Sequence, residues 1–444
     1  MRTLLTRIEP WYVVSLLTIG LVLSYIDRYL PSLLIEQIKL GLALSDFEMG
    51  LILGPAFIVL FCLFGIPIGQ LADRMSRRVL LAAGVAIWCL MTAAGAIAPN
   101  FISLFATRLG VGLGEATLSP CAMSLIGDFF KRSVRMRALN VFQAGTYLGA
   151  GLTYFLIGPL IKKIESLPPM ALPGFGPLQT WQACFLLIGL PGLILAALMF
   201  TVREPPRERA VNLGGAAEQQ SLRAAVAFMV TRWRVFAPLT IASSCNTTLG
   251  ALMYWNVSLF DRKWGWDVGD VGFAVGIILL TAGPLGTFSA VWLTNYLLRT
   301  HPKEAGFRVL FIGLLFSVIF FAAYPLMPNS ELALVGLFCS IVATLVATAA
   351  GPGSLIMIVP SQIMAQVSAI YFMFISLMGL LFGPPIVGWI ADQLGDPQML
   401  PVAMAMEAIG FGIPALAFTL YGIRGYRSAV TEIETALEQA KAAP

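Results

Sequence analysis

Twelve apolar runs, each about 20 residues or longer, follow one another along almost the whole of this 444-residue chain. A run of that length crosses the roughly 30 Å hydrocarbon core of a bilayer as a helix, because in lipid the backbone N–H and C=O groups must be satisfied within their own segment. The runs lie near 11–36, 47–72, 79–98, 101–127, 137–161, 181–201, 235–260, 269–298, 307–326, 331–358, 365–391 and 400–423. Only 11% of the residues are charged, against about 25% in a soluble protein. The chain therefore reads as an all-α, multi-pass membrane protein. None of the runs is an isolated short one with a small-residue cleavage site, so the first is expected to remain as a span.

An even number of spans places both termini on one face. Of the 28 lysines and arginines, 21 flank that face, five (Lys39, Lys162, Lys163, Arg262, Lys263) flank the other, and Arg28 and Arg108 lie inside runs. Basic flanks are retained in the cytoplasm, so both termini are expected to be cytoplasmic, at the plasma (inner) membrane if the source is bacterial. The net charge of +5 is then a solvated rim facing lipid head groups and calls for no nucleic-acid partner. Cys62, Cys89, Cys121, Cys184, Cys245 and Cys339 sit singly in apolar runs, without CxxC spacing, and the one histidine, His301, falls in a polar loop. Metal binding and histidine catalysis lack material, and no nucleophile–base arrangement is visible, so the chain is not expected to be an enzyme. The expected partners are a small-molecule or lipid substrate and membrane lipids, with the chain a monomer.

The one substantial polar stretch, 202–234, separates six spans (1–201) from six (235–423), leaving a cytoplasmic tail at 424–444. Around Ser221 to Arg232 it admits either an amphipathic helix on the membrane surface or a flexible linker. The tail segment Thr431 to Lys441 has helix-forming composition and reads as a short cytoplasmic helix. A weak internal repeat supports the division: GQLADRMSRR (Gly69 to Arg78) and VWLTNYLLRT (Val291 to Thr300), 222 residues apart, occupy the same loop of their halves, with Asn295 for Asp73 and Arg299 for Arg77. That pattern predicts a six-plus-six helical transporter with a midplane site.

Charge inside the membrane locates the candidate site. LSYIDRY (Leu23 to Tyr29) sets Asp27 and Arg28 within the first run, where an ionisable group costs about 2.5–3.5 kcal/mol or more and persists where it pairs or lines a wet cavity. RLGVGLGEA (Arg108 to Ala116) sets Arg108 and Glu115 about two turns apart on one face of span 4, with Gly110, Gly112 and Gly114 thinning the helix between them. A close-packed glycine face against another span is compatible with that role. Counting from the outer ends of spans 1 and 4, Asp27 and Arg108 differ in depth by only a few Å, so the four charges can form one cluster. In such a cluster a proton and an anionic head group compete for the same partners; the alternative is a static quartet that fixes packing, for which four ionisable groups are an expensive means. Glu407, about seven residues into span 12, is a possible additional buried acid: a second titrating or polar-substrate site, or a paired or snorkelling packing residue.

The loop GQLADRMSRR fits Gly-x-x-x-Asp-Arg-x-x-Arg-Arg and so resembles the major facilitator superfamily, whose signature falls after span 2 as it does here. The resemblance implies twelve transmembrane helices in two pseudo-symmetric six-helix bundles. It also implies that Gly69 permits close helix approach and that Asp73 meets the N-terminal end of span 11, after Pro360 and Ser361. Arg77 and Arg78 are expected to complete a cytoplasmic gate with Asp128, unless they only anchor topology. RLGVGLGEA looks like the arginine-plus-glycine motif of proton-coupled members. Together with IDR and WQACFLLIGLPGLILAALMFTVREPPR it is similar to the spinster branch, associated with export of lysophospholipids and sphingosine-1-phosphate.

That likeness implies a proton-coupled secondary transporter of an amphipathic, lysolipid-like anion working by alternating access. Asp27 and Glu115 are then the titrating acids, Arg28 and Arg108 the head-group ligands, and the transmembrane proton gradient replaces any cofactor. Positions 27 and 28 map by the 222-residue offset to Leu249 and Gly250, beside the polar Asn246, Thr247 and Thr248. Tyr254, Trp255, Thr344, Thr348, Tyr371 and Phe374 could line an amphipathic wall or belong to ordinary core packing. GTYLGAG (Gly145 to Gly151) and GPPIVG (Gly383 to Gly388) permit close packing and bending. The alternatives are a small organic-anion or drug carrier of the same superfamily and, from another class, a membrane lipid sensor or receptor.

Overall fold

The computed structural model describes residues 2–168, 171–172, 176–205, 222–360 and 362–442. Twelve helices are long and apolar enough to cross a membrane: spans 1 to 12 are Glu9–Leu33, Asp46–Arg74, Arg77–Gly95, Phe101–Phe129, Ser133–Glu165, Thr180–Met199, Trp233–Trp264, Val268–Thr300, Ala305–Leu326, Ser330–Ile358, Gln366–Leu394 and Pro397–Thr435. Each overlaps one run expected from the sequence. Among the described residues the only strand pairing is a two-residue antiparallel ladder, Ala171–Leu172 with Gly176–Pro177, between spans 5 and 6.

Of two connections read from the sequence, one follows its helical reading and one departs from expectation. Residues Leu222–Thr231 form a short helix ahead of span 7, so the helical reading of that segment holds there, while the linker residues 206–221 lie outside the described residues. The C-terminal segment is no separate helix: one helix runs without a break over Leu400–Ala442. Its last proline is Pro414, and the isolated glycines Gly422 and Gly425 cost only about 1 kcal/mol each, so nothing in the tail stops it.

The chain divides into two compact units, Met1–Val211 with Tyr254–Leu280 and Pro384–Gln398, and Asn212–Met253 with Thr281–Gly383 and Met399–Pro444. In the first unit span 3 packs on spans 4 and 6, span 1 on span 5, and span 2 on span 4. Between helices in lipid there is little hydrophobic drive, and close backbone approach replaces it. Gly112 and Gly114 supply that approach: a Cβ on Gly112 would meet the Phe57 carbonyl oxygen of span 2 at 2.1 Å, and one on Gly114 the Gly84 oxygen of span 3 at 2.7 Å. In the second unit span 9 packs on span 10, and span 12 on spans 7 and 9.

Spans 4, 5 and 7 are among those that lose regular α geometry, and their breaks shape the candidate site. Span 4 is interrupted after Glu115 at Ala116 and Thr117, where Thr117 Oγ1 donates to the Gly114 carbonyl at 2.9 Å. Span 5 widens to a π turn over Thr153–Ile157, just ahead of Pro159. Proline has no N–H and its ring crowds the carbonyl four residues back, so the turn opens to accommodate it. Span 7 tightens to a 3-10 turn at Leu252–Trp255, which separates Tyr254 and Trp255 from the helix below.

Candidate functional site

The four intramembrane charges expected to converge do so, in the first unit. Arg28 Nη2 donates to Glu115 Oε2 at 2.9 Å, Ser24 Oγ donates to the same oxygen at 2.6 Å, and Arg108 Nη1 donates to the backbone carbonyl of Asp27 at 3.2 Å. Asp27, Arg108 and Glu115 are each 2% exposed. The Arg28 side chain, at 16%, is the most exposed of the four.

Aromatic rings hold both guanidinium groups. The Cζ of Arg28 lies 4.3 Å from the Phe57 ring centroid, 4.8 Å from Tyr25 and 5.5 Å from Phe61, and that of Arg108 lies 4.5 Å from Phe185. A cation held by ring faces is attracted to their quadrupoles and leaves N–H edges for a ligand. Above them Tyr29 stacks on Tyr254 at 5.0 Å and touches Tyr154 at 5.7 Å, and the π turn of span 5 brings the Tyr154 hydroxyl to 2.9 Å from Ser32 Oγ.

The cluster is not internally saturated. Asp27 Oδ1, Glu115 Oε1, Arg28 Nε, and both Nε and Nη2 of Arg108 are buried without a hydrogen-bond partner among the described residues. Nε and Nη2 form the side-on edge of a guanidinium, the fork that takes two oxygens of one carboxylate or phosphate. Leaving such groups unpaired costs about 1–3 kcal/mol each, more for charged ones. The guanidinium edges can therefore take an incoming acceptor, and the two carboxylate oxygens an incoming proton or donor. A cleft of about 550 Å³ in the same unit, lined by Gln37, Leu40, Glu165, Trp181 and Leu187 among others, contains none of the four charges.

The other expected ligands fall in two places. Tyr254, 3% exposed, is the one that joins the charged cluster's aromatic roof. Asn246, Thr247 and Tyr371 belong to the second unit. Asn246 Nδ2 donates to Thr348 Oγ1 at 2.9 Å and to the Thr344 carbonyl at 3.3 Å, Thr247 Oγ1 to the Ser243 carbonyl at 3.0 Å, and the Tyr371 hydroxyl to Ser243 Oγ at 2.7 Å. Their hydroxyl and amide protons are thus committed to helix packing. Glu407 is 1% exposed, and neither of its carboxylate oxygens has a hydrogen-bond partner among the described residues.

On the face that carries the termini, Arg77 bonds Asp128, as expected, and also reaches Ser124 Oγ at 2.9 Å and Glu204 Oε1 at 3.2 Å. Glu204 was not singled out by sequence reasoning; it follows span 6 directly, in the charge-dense stretch assigned to the linker. Asp73 and Arg78 are exposed, and Ser361 of the expected Asp73 contact lies outside the described residues. Gly69 corrects its expectation: a Cβ there would meet nothing within 4 Å among the described residues, so no described helix of its own unit approaches it closely. The physical reason is local, since Ile66, Pro67 and Gln70 are exposed around it.

Burial opposes the charge on Glu204, but the Ser76 hydroxyl, the Arg77 backbone and side-chain donors and the Arg77 charge outweigh it and hold the carboxyl below its usual range. A carboxylate lowered in the folded state contributes stability that is complete above its ordinary value near 4.3 and is lost as pH falls through the folded value. Glu204→Gln is accordingly expected to cost about 1–2 kcal/mol at pH 7. In thermal melts of the two proteins across pH, the gap should close below about pH 4; a gap independent of pH would remove the ionic role.

On the opposite face the first unit contains a second charge network that the sequence did not announce. Arg262 of span 7 donates from Nη1 and Nη2 to the two oxygens of Asp46 at 2.8 and 2.7 Å, and from Nε to Glu36 at 2.9 Å. Lys39 also bonds Asp46, and Lys162 pairs with Asp267 at 2.5 Å. Asp392 accepts from the backbone N–H groups of Asp46 and Phe47 at 3.0 and 2.8 Å, capping the start of span 2. The available signal was that Lys39, Lys162 and Arg262 are three of the only five basic residues on that face.

The model of the Major Facilitator Superfamily matches residues 17–383. Among curated relatives, an MFS-type efflux pump of Mycolicibacterium smegmatis (strain ATCC 700084 / mc(2)155) is 26% identical over 96% of this chain and 95% of its own length. The sphingosine-1-phosphate transporter SPNS2 of Mus musculus is 30% identical over 54% of this chain, a match that spans 42% of the mouse protein. Among solved structures, a bacterial homolog to the human lysosomal transporter Spinster superposes with a TM-score of 0.75 over 95% of this chain and 97% of that one, at 22% identity. That last likeness bears on the fold alone.

Proposed function

The chain belongs to the major facilitator superfamily, and from that premise we propose that it is a proton-coupled carrier of an amphipathic, lysolipid-like anion working by alternating access. The observation that carries the reading is the side-on edge of Arg108, Nε and Nη2, buried without a partner among the described residues in the same cluster as the unpartnered Oδ1 of Asp27. An anionic head group seats on that edge and draws Arg28 from Glu115. Protonation of Glu115 releases Arg28 for the same purpose, so proton and anion favour one another's binding. Their affinities then rise together as pH falls. Asp27 and Glu115 are the proton carriers in this scheme, Arg28 and Arg108 the head-group ligands, and Tyr254 and Tyr29 the apolar roof. The similarity to SPNS2 supports a lipid-like tail on the anion.

The bias of basic residues supports cytoplasmic termini, and the protein is read as a monomer of the plasma (inner) membrane that needs no cofactor beyond the proton gradient. A second reading, a small organic-anion or drug carrier, is favoured by the likeness to the mycobacterial efflux pump over nearly the full length of both chains.

Purified protein in liposomes, given labelled lysolipid and an imposed pH gradient, tests both. Gradient-driven lysolipid flux is expected, with its pH dependence flattened in Asp27→Asn and in Glu115→Gln. Flux of small anions with no lysolipid response selects the second reading, and unchanged pH dependence in both variants removes the coupling assignment.

A further inference from the structure

Glu407 is a buried acid for which the scheme above has no use. It is 1% exposed, and neither carboxylate oxygen meets a donor among the described residues. Its helix packs on spans 7, 9 and 10 within the second unit. Contacts at glycines set its height against those neighbours: Gly422 faces Pro238 of span 7 and Phe307 of span 9, Gly412 faces Val318 of span 9, and Gly336 of span 10 faces Tyr324.

Counting along these antiparallel helices at equal rise, Glu407 lies level with about residues 252–253 of span 7, 322–323 of span 9 and 337 of span 10. Leu249, Leu252, Leu337 and Met404, around that level, are each fully buried. Within the second unit, the titratable groups nearest its level on the packed elements are Tyr324 and Glu331 at the far ends of spans 9 and 10, Cys339 on span 10, and Cys245 on span 7. None is a cation. The basic residues of those spans, Arg234, Arg262, Lys263 and Arg308, lie at or near helix ends.

An ion buried at that level, with no donor or cation among the described residues to offset it, would cost several kcal/mol, whereas the acid form carries no charge. We infer that Glu407 is a second proton-binding site, holding a proton inside the second unit and exchanging it when water reaches the far-side ends of spans 9 and 12. The site is independent of the assignment of Asp27 and Glu115, and its first test needs no substrate.

The test is infrared difference spectroscopy on the full chain in lipid vesicles at pH 7, wild type against Glu407→Gln. The expected difference is the loss of one protonated-carboxyl band, which in the wild type shifts on transfer to D2O. A difference made of ionised-carboxylate bands overturns the proposal, and so does an acid band that D2O never shifts, because a sealed group is packing and no site. Glu407→Met guards against a folding artefact: an apolar replacement of similar length should fold and lack the same band. Failure of Asp27→Asn or Glu115→Gln to alter transport would leave this result standing, so the two readings fail separately.

Discussion

Arg108→Ala is expected to lower anion uptake in proteoliposomes about 100-fold while leaving a folded protein. Among the described residues its guanidinium gives one hydrogen bond, to the Asp27 carbonyl, and leaves Nε and Nη2 without a partner, so the loss falls on the ligand more than on the fold. Removing one partner of a buried, hydrogen-bonded charge pair costs about 2–5 kcal/mol, and 2.7 kcal/mol is about 100-fold. Arg108→Lys should fall between, since it keeps the charge but replaces the planar fork with a point charge. Uptake measured against substrate concentration checks this. If the lysine variant equals the wild type, bidentate recognition is wrong, and an unimpaired alanine variant removes the site.

Arg262→Ala is expected to loosen the opposite face of the same unit. Arg262 is 7% exposed and ties Asp46 and Glu36 together through charge-assisted bonds, each worth about 1.5–3 kcal/mol. Losing even one such bond shifts a local opening equilibrium about tenfold or more. Ser258, fully buried one helical turn before Arg262, reports it: in a background without other reactive cysteines, Ser258→Cys should react with a membrane-impermeant maleimide about tenfold faster when Arg262 is alanine. Asp46→Asn should act in the same direction and less strongly, since Arg262 keeps Glu36. An unchanged rate would show that the network is ornamental to closure on that face.

These two residues differ in how far they could be read beforehand. Arg108 was legible because charge within an apolar run is costly, and its depth followed from the rise of a helix. The same arithmetic brought Asp27, Arg28 and Glu115 to it, and the structure joins them through Ser24 and a backbone carbonyl that no spacing rule could single out. Arg262 sits at a span end, where basic residues are common for topological reasons alone. Its partners are more than 200 positions away in the chain, as are the Asp392 and Asp46 groups. Gly69 marks the reverse error, in which a motif glycine implied a close contact that the helix around it does not make.

Helix existence, number and order were determined by the sequence itself, because in a bilayer each backbone segment must satisfy its own hydrogen bonds and a 20-residue apolar run has few alternatives. So were the four costly charges. Only the tertiary structure decided which of them pair, that Asn246 and Tyr371 spend their donors on packing, and, among the described residues, which N–H edges remain free and that Glu407 meets no donor. Those outcomes depend on side-chain directions and on breaks in spans 4, 5 and 7, which arise where helices meet and leave no periodic trace in the chain.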